Sequence, residues 1–295
     1  MRVFLAGATG VLGRRVVPLL VGAGHQVSAV GRTPEKRAAV EAAGAVPVTL
    51  DLYAASEVRR AVEGHDAVVN LATHIPTAAW RLMLPGAFHE NDRIRRVVAA
   101  NLADGARATG AGRLIQESFA LVYPSCGDQW IDETVPIAPV SYNRTVADAE
   151  RAAARFGEGS GTAVVLRFSA FYGPDSPQIR DVVRAARHGW ALLPGAAGSW
   201  FSSVSHDDAA TAVIAALDAP GGTYNVTDDE PLRRRELFDA IGAALDVPPP
   251  RLMPGWAAHI FGALGETLAR SLRISNRKLR DATGWRPVYP SFREG

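Results

Sequence analysis

The chain has 295 residues, 47% of them hydrophobic, which is enough to bury the core of one large domain or of a domain with a smaller lobe. Its 32 basic and 30 acidic side chains nearly balance, so we expect neither a nucleic-acid partner nor an anionic membrane partner. The single cysteine, Cys126, excludes an internal disulfide. No apolar stretch approaches the roughly 18 residues of a membrane span, and we expect no signal peptide. These features predict a soluble, cytoplasmic protein.

Short apolar runs alternate with helical patterns from the beginning of the chain. In order they are RVFLA, LGRRVVPLLVGAG, HQVSAV, PEKRAAVEAAG, VPVTL, SEVRRAVEG and DAVVNLA, which predict strand and helix in alternation. Runs such as DAVVNLA lack an apolar-polar alternation, which is typical of parallel strands covered on both faces. Thr33, followed by Pro34, is predicted to cap the second helix, and Ser56 is predicted to cap the third.

The same alternation continues into the middle of the chain. The segment ENDRIRRVVAANLADGARATG predicts a longer helix, followed by strand GRLIQES, helix VADAERAAARF and strand TAVVLRF. The predicted fold class is therefore α/β, a doubly wound parallel sheet of the Rossmann type. Beyond Gly173 the alternation decays, so we expect a dinucleotide-binding core over 1–173. Residues 174–295 are expected to form mainly a smaller substrate-binding lobe, with some segments returning to the core. Within that lobe, LRRRELF is interpreted as a solvated helix start.

A glycine-rich loop, GATGVLG, follows the first predicted strand and opens the first predicted helix. In this setting Gly7 makes the tight turn, Gly10 lets backbone amides approach a pyrophosphate, and Gly13 lets the helix pack closely on the strand. The helix N-terminus attracts the anion. We therefore predict that the loop binds a dinucleotide through Gly7, Thr9, Gly10, Val11, Leu12 and Gly13.

The choice between NAD and NADP depends on the end of the second strand. An acidic residue there would bind a ribose 2′-hydroxyl, but the strand ends in Gly31, Arg32 and Thr33. Arg32 can instead pair with a 2′-phosphate, although a solvated arginine after a strand is also common. The sequence favours NADP as cofactor over NAD.

Short segments through nearly the whole chain carry a family resemblance. Besides GATGVLG they are LDL at 50–52, NLAT at 70–73, VYP at 122–124, SYNRT at 141–145, FYGP at 171–174, HDDAATAV at 206–213, YNVTD at 224–228 and GWRPVYPSFREG at 284–295. Together they resemble the extended short-chain dehydrogenase/reductase superfamily, in its epimerase/dehydratase-like branch. The resemblance implies a small-molecule substrate and is compatible with a homodimer. It also implies that Asp51 and Leu52 flank the adenine, and that Leu71, Ala72 and Thr73 line the nucleotide and the nicotinamide.

The catalytic pattern of that superfamily is incomplete in this chain. Active members use a Ser or Thr, a Tyr, and a Lys four residues after the Tyr. The resemblance places Tyr142 at the tyrosine position, next to the cofactor, but Val146 at the lysine position and Phe119 at the hydroxyl position. A phenol without a neighbouring cation keeps a pKa of about 10, so at neutral pH it is a poor base but can still act as an acid.

Four residues are candidates for the missing groups. Ser118 precedes Phe119, but adjacent strand residues face opposite sides, so Ser118 substitutes only if the strand end bends. The others are Tyr123, Arg144, which lies in the predicted helix of Tyr142, and His74, which is in the loop after the fourth strand. No metal site is predicted.

Three functions remain open at this point. The first is an NAD(P)-dependent oxidoreductase of a carbonyl, an alcohol or a sugar-like small molecule, with an altered catalytic set. The second is a nucleotide-binding sensor or regulatory protein without turnover, and the third is a non-redox isomerase or cyclase that reuses the pocket.

Overall fold

A computed structural model describes residues 1–76, 81–82, 84, 86–254 and 256–295. The strands are β1 (Arg2–Ala6), β2 (Gln26–Val30), β3 (Val46–Val48), β4 (Ala67–Asn70), β5 (Arg113–Phe119), β6 (Trp130–Ile131), β7 (Thr162–Phe168), β8 (Ala170–Tyr172), β9 (Trp200–Phe201), β10 (Ser203–Ser205), β11 (Gly222–Val226), β12 (Leu232–Arg233) and β13 (Arg273–Ile274). The α-helices are α1 (Gly13–Gly22), α2 (Pro34–Ala42), α3 (Ala55–Val62), α4 (His89–Arg93), α5 (Ala99–Thr109), α6 (Val146–Gly157), α7 (Pro177–Arg187), α8 (His206–Ala215), α9 (Arg234–Ala244), α10 (Ala257–Ile260), α11 (Gly262–Ala269) and α12 (Arg277–Thr283).

The main sheet has seven strands in the order β11-β7-β5-β4-β1-β2-β3, and each neighbouring pair is parallel. This confirms the predicted doubly wound α/β fold. The chain starts at β1 and winds outward in both directions, so the switch in winding lies between β1 and β4. In such sheets the crevice beyond the carboxyl ends of these two strands is the ligand site.

The apolar strands are buried on both faces of the sheet, as their sequences predict. In β1, Val3 and Leu5 join the core cluster that includes α1 and α8, whereas Phe4 and Ala6 join the cluster that includes α3, α5 and α6. Successive side chains of a strand point to opposite faces, so a run without polar residues is what two covered faces require.

A separate apolar cluster receives Val182 from α7 and Leu237, Phe238 and Ile241 from α9. Two-stranded sheets join β8 to β10, β9 to β12, and β6 to β13. Segments beyond residue 173 also return to the core, because β11 pairs with β7 and α8 packs on α1.

Local signals predicted one helix start correctly and one incorrectly. Thr33 accepts a hydrogen bond from the Lys36 amide at 3.4 Å, with Pro34 as the first helical residue, so this cap is confirmed. The prediction for Ser56 was wrong. The third helix starts earlier, after Ala54, because the Ala54 amide donates to the Asp51 carbonyl and the turn begins there.

The interpretation of LRRRELF was also wrong in one respect. A helix does begin there, but the Arg234 side chain is 0% exposed. Its guanidinium donates to the Ser199 hydroxyl at 3.1 Å and to the Leu268 carbonyl at 2.8 Å. Burial lowers the pKa of Arg234 to about 10. A basic run is therefore no guarantee of a solvated face when buried acceptors are available.

Candidate functional site

The glycine loop lies at the carboxyl end of β1, against the chain that follows β4. Gly7 has φ of +87°, and a Cβ there would lie 2.5 Å from the Leu71 carbonyl carbon. A Cβ on Gly13 would lie 2.1 Å from the Gly7 carbonyl oxygen. Gly10 is different, because it is exposed and its Cβ would meet only that same oxygen, at 3.2 Å. Contacts within the protein therefore explain Gly7 and Gly13, while the space beside Gly10 is open.

Free backbone donors surround this open space. The amides of Val11 and Leu12 donate to no acceptor among the described residues, and α1 begins without a side-chain cap. Thr9, half-buried, is in the same loop. Uncapped amides at the start of a ten-residue helix form an anion site. The loop fits the pyrophosphate of a dinucleotide.

Ion pairs join the start of α1 to the segment after β8 and to α8. Asp175 accepts a hydrogen bond from Arg15 at 3.0 Å and also pairs with Arg14. Arg15 also donates to Asp207 at 2.6 Å, and the buried His206 ring lies 3.3 Å from Asp175. These contacts connect the helix that follows the glycine loop to α8.

Arg32 follows β2, at the position where the sequence predicts a contact with a 2′-phosphate. Its side chain is exposed, and within the described residues it makes no hydrogen bond or ion pair. The nearby acid Glu90 accepts a hydrogen bond from the Tyr53 hydroxyl at 2.7 Å. The Arg93 guanidinium lies over the Tyr53 ring, 3.8 Å from its centroid. Arg32 is therefore available to an anion from outside the protein.

The residues expected beside the adenine and the nicotinamide follow β3 and β4. The exposed Asp51 accepts the Tyr53 amide at 2.9 Å, which closes a turn, and Leu52 packs against the core. After β4, the amide of Leu71 donates to the Ala6 carbonyl and that of Ala72 to the Asn70 side chain.

The next two residues in this loop, Thr73 and His74, have exposed side chains. Only the backbone of His74 is anchored, because its amide donates to Asn91 at 2.9 Å. The His74 ring hydrogen-bonds to none of the residues that the structure describes. It is open to a ligand.

Tyr142 lies in the turn before α6 and is half-buried. Its ring packs on Phe88, with 5.0 Å between centroids. Burial raises the pKa of the phenol, against hydrogen bonding to Thr267 and Asn143 and the positive charges of Arg95 and Arg270. The phenol therefore carries its proton at neutral pH. A cavity of about 620 Å³ adjoins it, lined among others by Phe88, Arg93, Arg144, Phe261 and Leu264.

The two other hydroxyl candidates lie in a buried polar network. Ser118, 1% exposed, donates to the Glu150 carboxylate at 2.6 Å. Arg167 joins that carboxylate, at 2.7 Å, to the hydroxyl of Tyr123, also at 2.7 Å. Tyr123 is 0% exposed and donates to Asn225. Both hydroxyls are engaged within the protein, which does not support a direct role for either in proton transfer.

The strand geometry explains why Ser118 does not substitute at the next position. The register of β5 with β7 is unbroken to the end, where Phe119 pairs with Phe168, so the strand does not bend. Ser118 therefore faces α6, and Phe119 faces the opposite side, against the cluster around Leu121. Val146, 1% exposed, is the first residue of α6.

Sequence reasoning missed the cations that act on Tyr142. Arg95 comes from the segment before α5, and Arg270 follows α11. The expected lysine is four residues from the tyrosine, whereas these arginines are distant in sequence. The available signal was Arg95 itself, a charged residue at a buried position of a predicted helix.

Within the ranges given above, no helix has both the length and the apolar character needed to cross a bilayer. Across the same residues, no group of three or more metal-binding side chains is present.

Comparison with known proteins agrees with this architecture. The sequence model of the NAD dependent epimerase/dehydratase family matches residues 3–227. A Streptomyces 3-diazoavenalumate denitrifying reductase is 34% identical and aligns over 100% of this chain and 99% of its own length. A 2-alkyl-3-oxoalkanoate reductase of Stenotrophomonas maltophilia is 29% identical over 93% of this chain and 85% of its own.

Among solved structures, the dTDP-glucose 4,6-dehydratase DesIV of Streptomyces venezuelae, with NAD and TYD bound, has the same fold. The TM-score is 0.79 and the identity 22%, with 100% of this chain and 94% of that chain covered. From its sequence and its fold, the chain belongs to the NAD dependent epimerase/dehydratase family.

Proposed function

We propose that this protein is an NADP(H)-dependent reductase of a small electrophilic molecule. The observation that carries the proposal is the open space at Gly10, beside the free amides of Val11 and Leu12. Relatives that align along most or all of the chain are named reductases, which supports the direction of the reaction. The bound nicotinamide would supply a hydride.

Arg32 is the residue proposed to select NADP(H). Its guanidinium is exposed and has no partner among the described residues. It can therefore bind a 2′-phosphate without first breaking an ion pair with another residue. We expect Arg32→Ala to weaken NADPH binding about 10- to 100-fold while NADH binding hardly changes. Arg60→Ala, an exposed arginine of α3, is the matched control. Equal losses for NADPH and NADH would contradict this role.

Tyr142 is proposed as the proton donor when the acceptor is a carbonyl. Hydride addition to a carbonyl carbon leaves an alkoxide, and the phenol O–H can give its proton to that oxygen. Since burial keeps the phenol protonated, the residue suits reduction better than alcohol oxidation. Tyr142→Phe is expected to slow turnover roughly 100- to 10,000-fold, with nucleotide affinity little changed.

A diazo acceptor is the second candidate, favoured by a specific observation. The positions of the hydroxyl and the lysine hold Phe119 and Val146, and the 34% identical relative is named as denitrifying a diazo compound. An arenediazonium cation and one hydride react to give the arene and N₂: a C–H bond forms at the ring carbon and the C–N bond breaks. No alkoxide forms, so no proton donor is needed.

One set of measurements tests these proposals. NADPH oxidation is followed with a panel of ketones and arenediazonium salts, in the wild type and in Tyr142→Phe. A large loss with ketones supports the tyrosine as acid, whereas diazonium turnover unaffected by Tyr142→Phe supports the second candidate. Tight NADPH binding without turnover of any acceptor would favour a sensor, and product formation without nucleotide would favour a non-redox enzyme.

A further inference from the structure

The helix that leads into β5 contains a buried arginine within an irregular turn. Residues Ile94–Val98 form a π-helical turn between α4 and α5, and Arg95 in this turn is 5% exposed. A π turn widens the helix and shifts the direction of its side chains, and such turns occur frequently at functional sites. A buried guanidinium also requires compensation. The role of Arg95 therefore needs an explanation.

One face of this helical segment packs against the turn that contains Tyr142. Phe88, just before α4, packs on the Tyr142 ring. Asp92, four residues later, accepts a hydrogen bond from the Thr145 hydroxyl at 2.7 Å. Arg95 follows at the next position of the i, i+4, i+7 series, and its π turn packs against α6. Three successive positions on one face thus point to the region around the phenol.

The Arg95 guanidinium also forms a long ion pair with Glu117 on β5. The Nη2–Oε1 distance is 3.9 Å, longer than a hydrogen bond, and the guanidinium hydrogen-bonds to none of the described residues. Glu117 is two residues before Phe119, so both side chains project from the same face of the strand. Burial raises the pKa of Glu117, which disfavours its charged form and leaves the arginine charge incompletely cancelled.

The other charged groups around Tyr142 either bind other residues or line the adjoining cavity. The Arg270 guanidinium donates to the Tyr123 carbonyl at 2.7 Å and to the Ala138 carbonyl at 3.0 Å. Glu150 of α6 is held by Arg167. The charged or titratable groups that line the cavity are His89, Asp92, Arg93, Arg96 and Arg144.

We propose that Arg95 is a positioning residue that supplies, from the π turn, the positive charge that a lysine at position 146 would otherwise provide. When Tyr142 gives its proton to the substrate oxygen, the O–H bond breaks and a phenolate remains, which the guanidinium stabilises. Arginine stays protonated over the accessible pH range, so this charge is constant. The inference rests on the proposed role of Tyr142 as a proton donor.

The test measures the Tyr142 phenol directly, without turnover. Fluorotyrosine at position 142 titrates at a lower pH than tyrosine and reports through fluorine-19 NMR. We expect Arg95→Met to raise its pKa by about one unit or more, and Arg95→Lys to restore most of the shift. Arg107→Met is the matched control, because Arg107 is an exposed arginine in the last turn of α5, outside the cavity that adjoins Tyr142. It should leave the titration unchanged.

An unshifted titration in folded Arg95→Met protein would overturn the inference. If that variant does not fold because Glu117 is left without its partner, Arg95→Met combined with Glu117→Gln removes both groups, and a smaller shift in the same direction is expected. A merely structural role would lower the melting temperature without moving the titration. Because the readout is binding of a proton and not turnover, it remains decisive even if Tyr142→Phe shows that the phenol is dispensable, which would refute the proposed function separately.

Discussion

Gly13→Ala is expected to destabilise the fold, whereas Gly10→Ala is expected to weaken nucleotide binding, although both glycines are in the same loop. A Cβ on Gly13 would lie 2.1 Å from the Gly7 carbonyl oxygen and 2.6 Å from the Ala8 Cα. Both neighbours are backbone atoms, so no side-chain rotation relieves the overlap and α1 must move away from β1. We expect a loss of about 1–3 kcal/mol or more in the free energy of unfolding. At Gly10 the one close atom is 3.2 Å away, and the cost should stay below about 1 kcal/mol.

Nucleotide affinity, in contrast to stability, should fall clearly in Gly10→Ala. The added methyl group would occupy the space in which the pyrophosphate approaches the amides, so NADPH affinity should fall at least tenfold, or about 1.4 kcal/mol. Urea denaturation gives the stability of each variant, and nucleotide fluorescence gives the dissociation constant. A stable Gly10→Ala variant with wild-type affinity would refute the loop as the pyrophosphate site. A Gly13→Ala variant as stable as the wild type would refute the steric reasoning.

Three further changes test the electrostatics of the fold. Hydrogen bonding from Arg15 is the main cause that lowers the pKa of Asp175 to about 2. The ionised Asp175 carboxylate therefore stabilises the fold fully above about pH 4, and this stabilisation is lost as the pH falls towards 2. Asp175→Asn should lower the melting temperature at pH 6 but not at pH 2. Burial raises the pKa of Asp228 to about 8, so this carboxyl group ionises at a lower pH in the unfolded chain than in the folded protein. In denaturant titrations, Asp228→Asn should therefore gain stability relative to the wild type as the pH rises from about 4 to 8. A difference in stability that stays constant with pH would contradict this. Arg167→Met leaves Glu150 buried without its cation and should lower the free energy of unfolding, measured by urea denaturation, by about 3–5 kcal/mol. Adding Glu150→Gln should recover much of this loss. An undiminished loss in the double variant would count against the ion pair.

Much of the main sheet could be predicted because its signals are local. The alternation of apolar runs with helical patterns, and the position of GATGVLG between the first strand and helix, are sufficient to predict β1, α1 and the parallel sheet. The features that escaped prediction depend on contacts between distant segments. Arg234 is buried because Ser199 and Leu268 provide acceptors, and neither is close in sequence.

The catalytic surroundings were harder to predict for the same reason. The family pattern directs attention to positions 119 and 146, where the required hydroxyl and ammonium are absent. The register of β5 decides that Ser118 faces α6 and Glu150, which a strand sequence alone does not reveal. The position of Arg95 depends on a π turn, whose pattern differs from that of an α-helix only by one inserted residue.

The position of β11 at the edge of the main sheet has a consequence for biosynthesis. This strand, Gly222–Val226, pairs with β7, and the amides of Val288 and Tyr289 donate to Asp208 at the start of α8. A ribosome therefore completes most of the chain before β7 gains its outer neighbour. Until then the nascent protein exposes the unpaired backbone of an apolar strand, the kind of edge that recruits chaperones or other chains. Completion of the main sheet is thus tied to translation of the last quarter of the message.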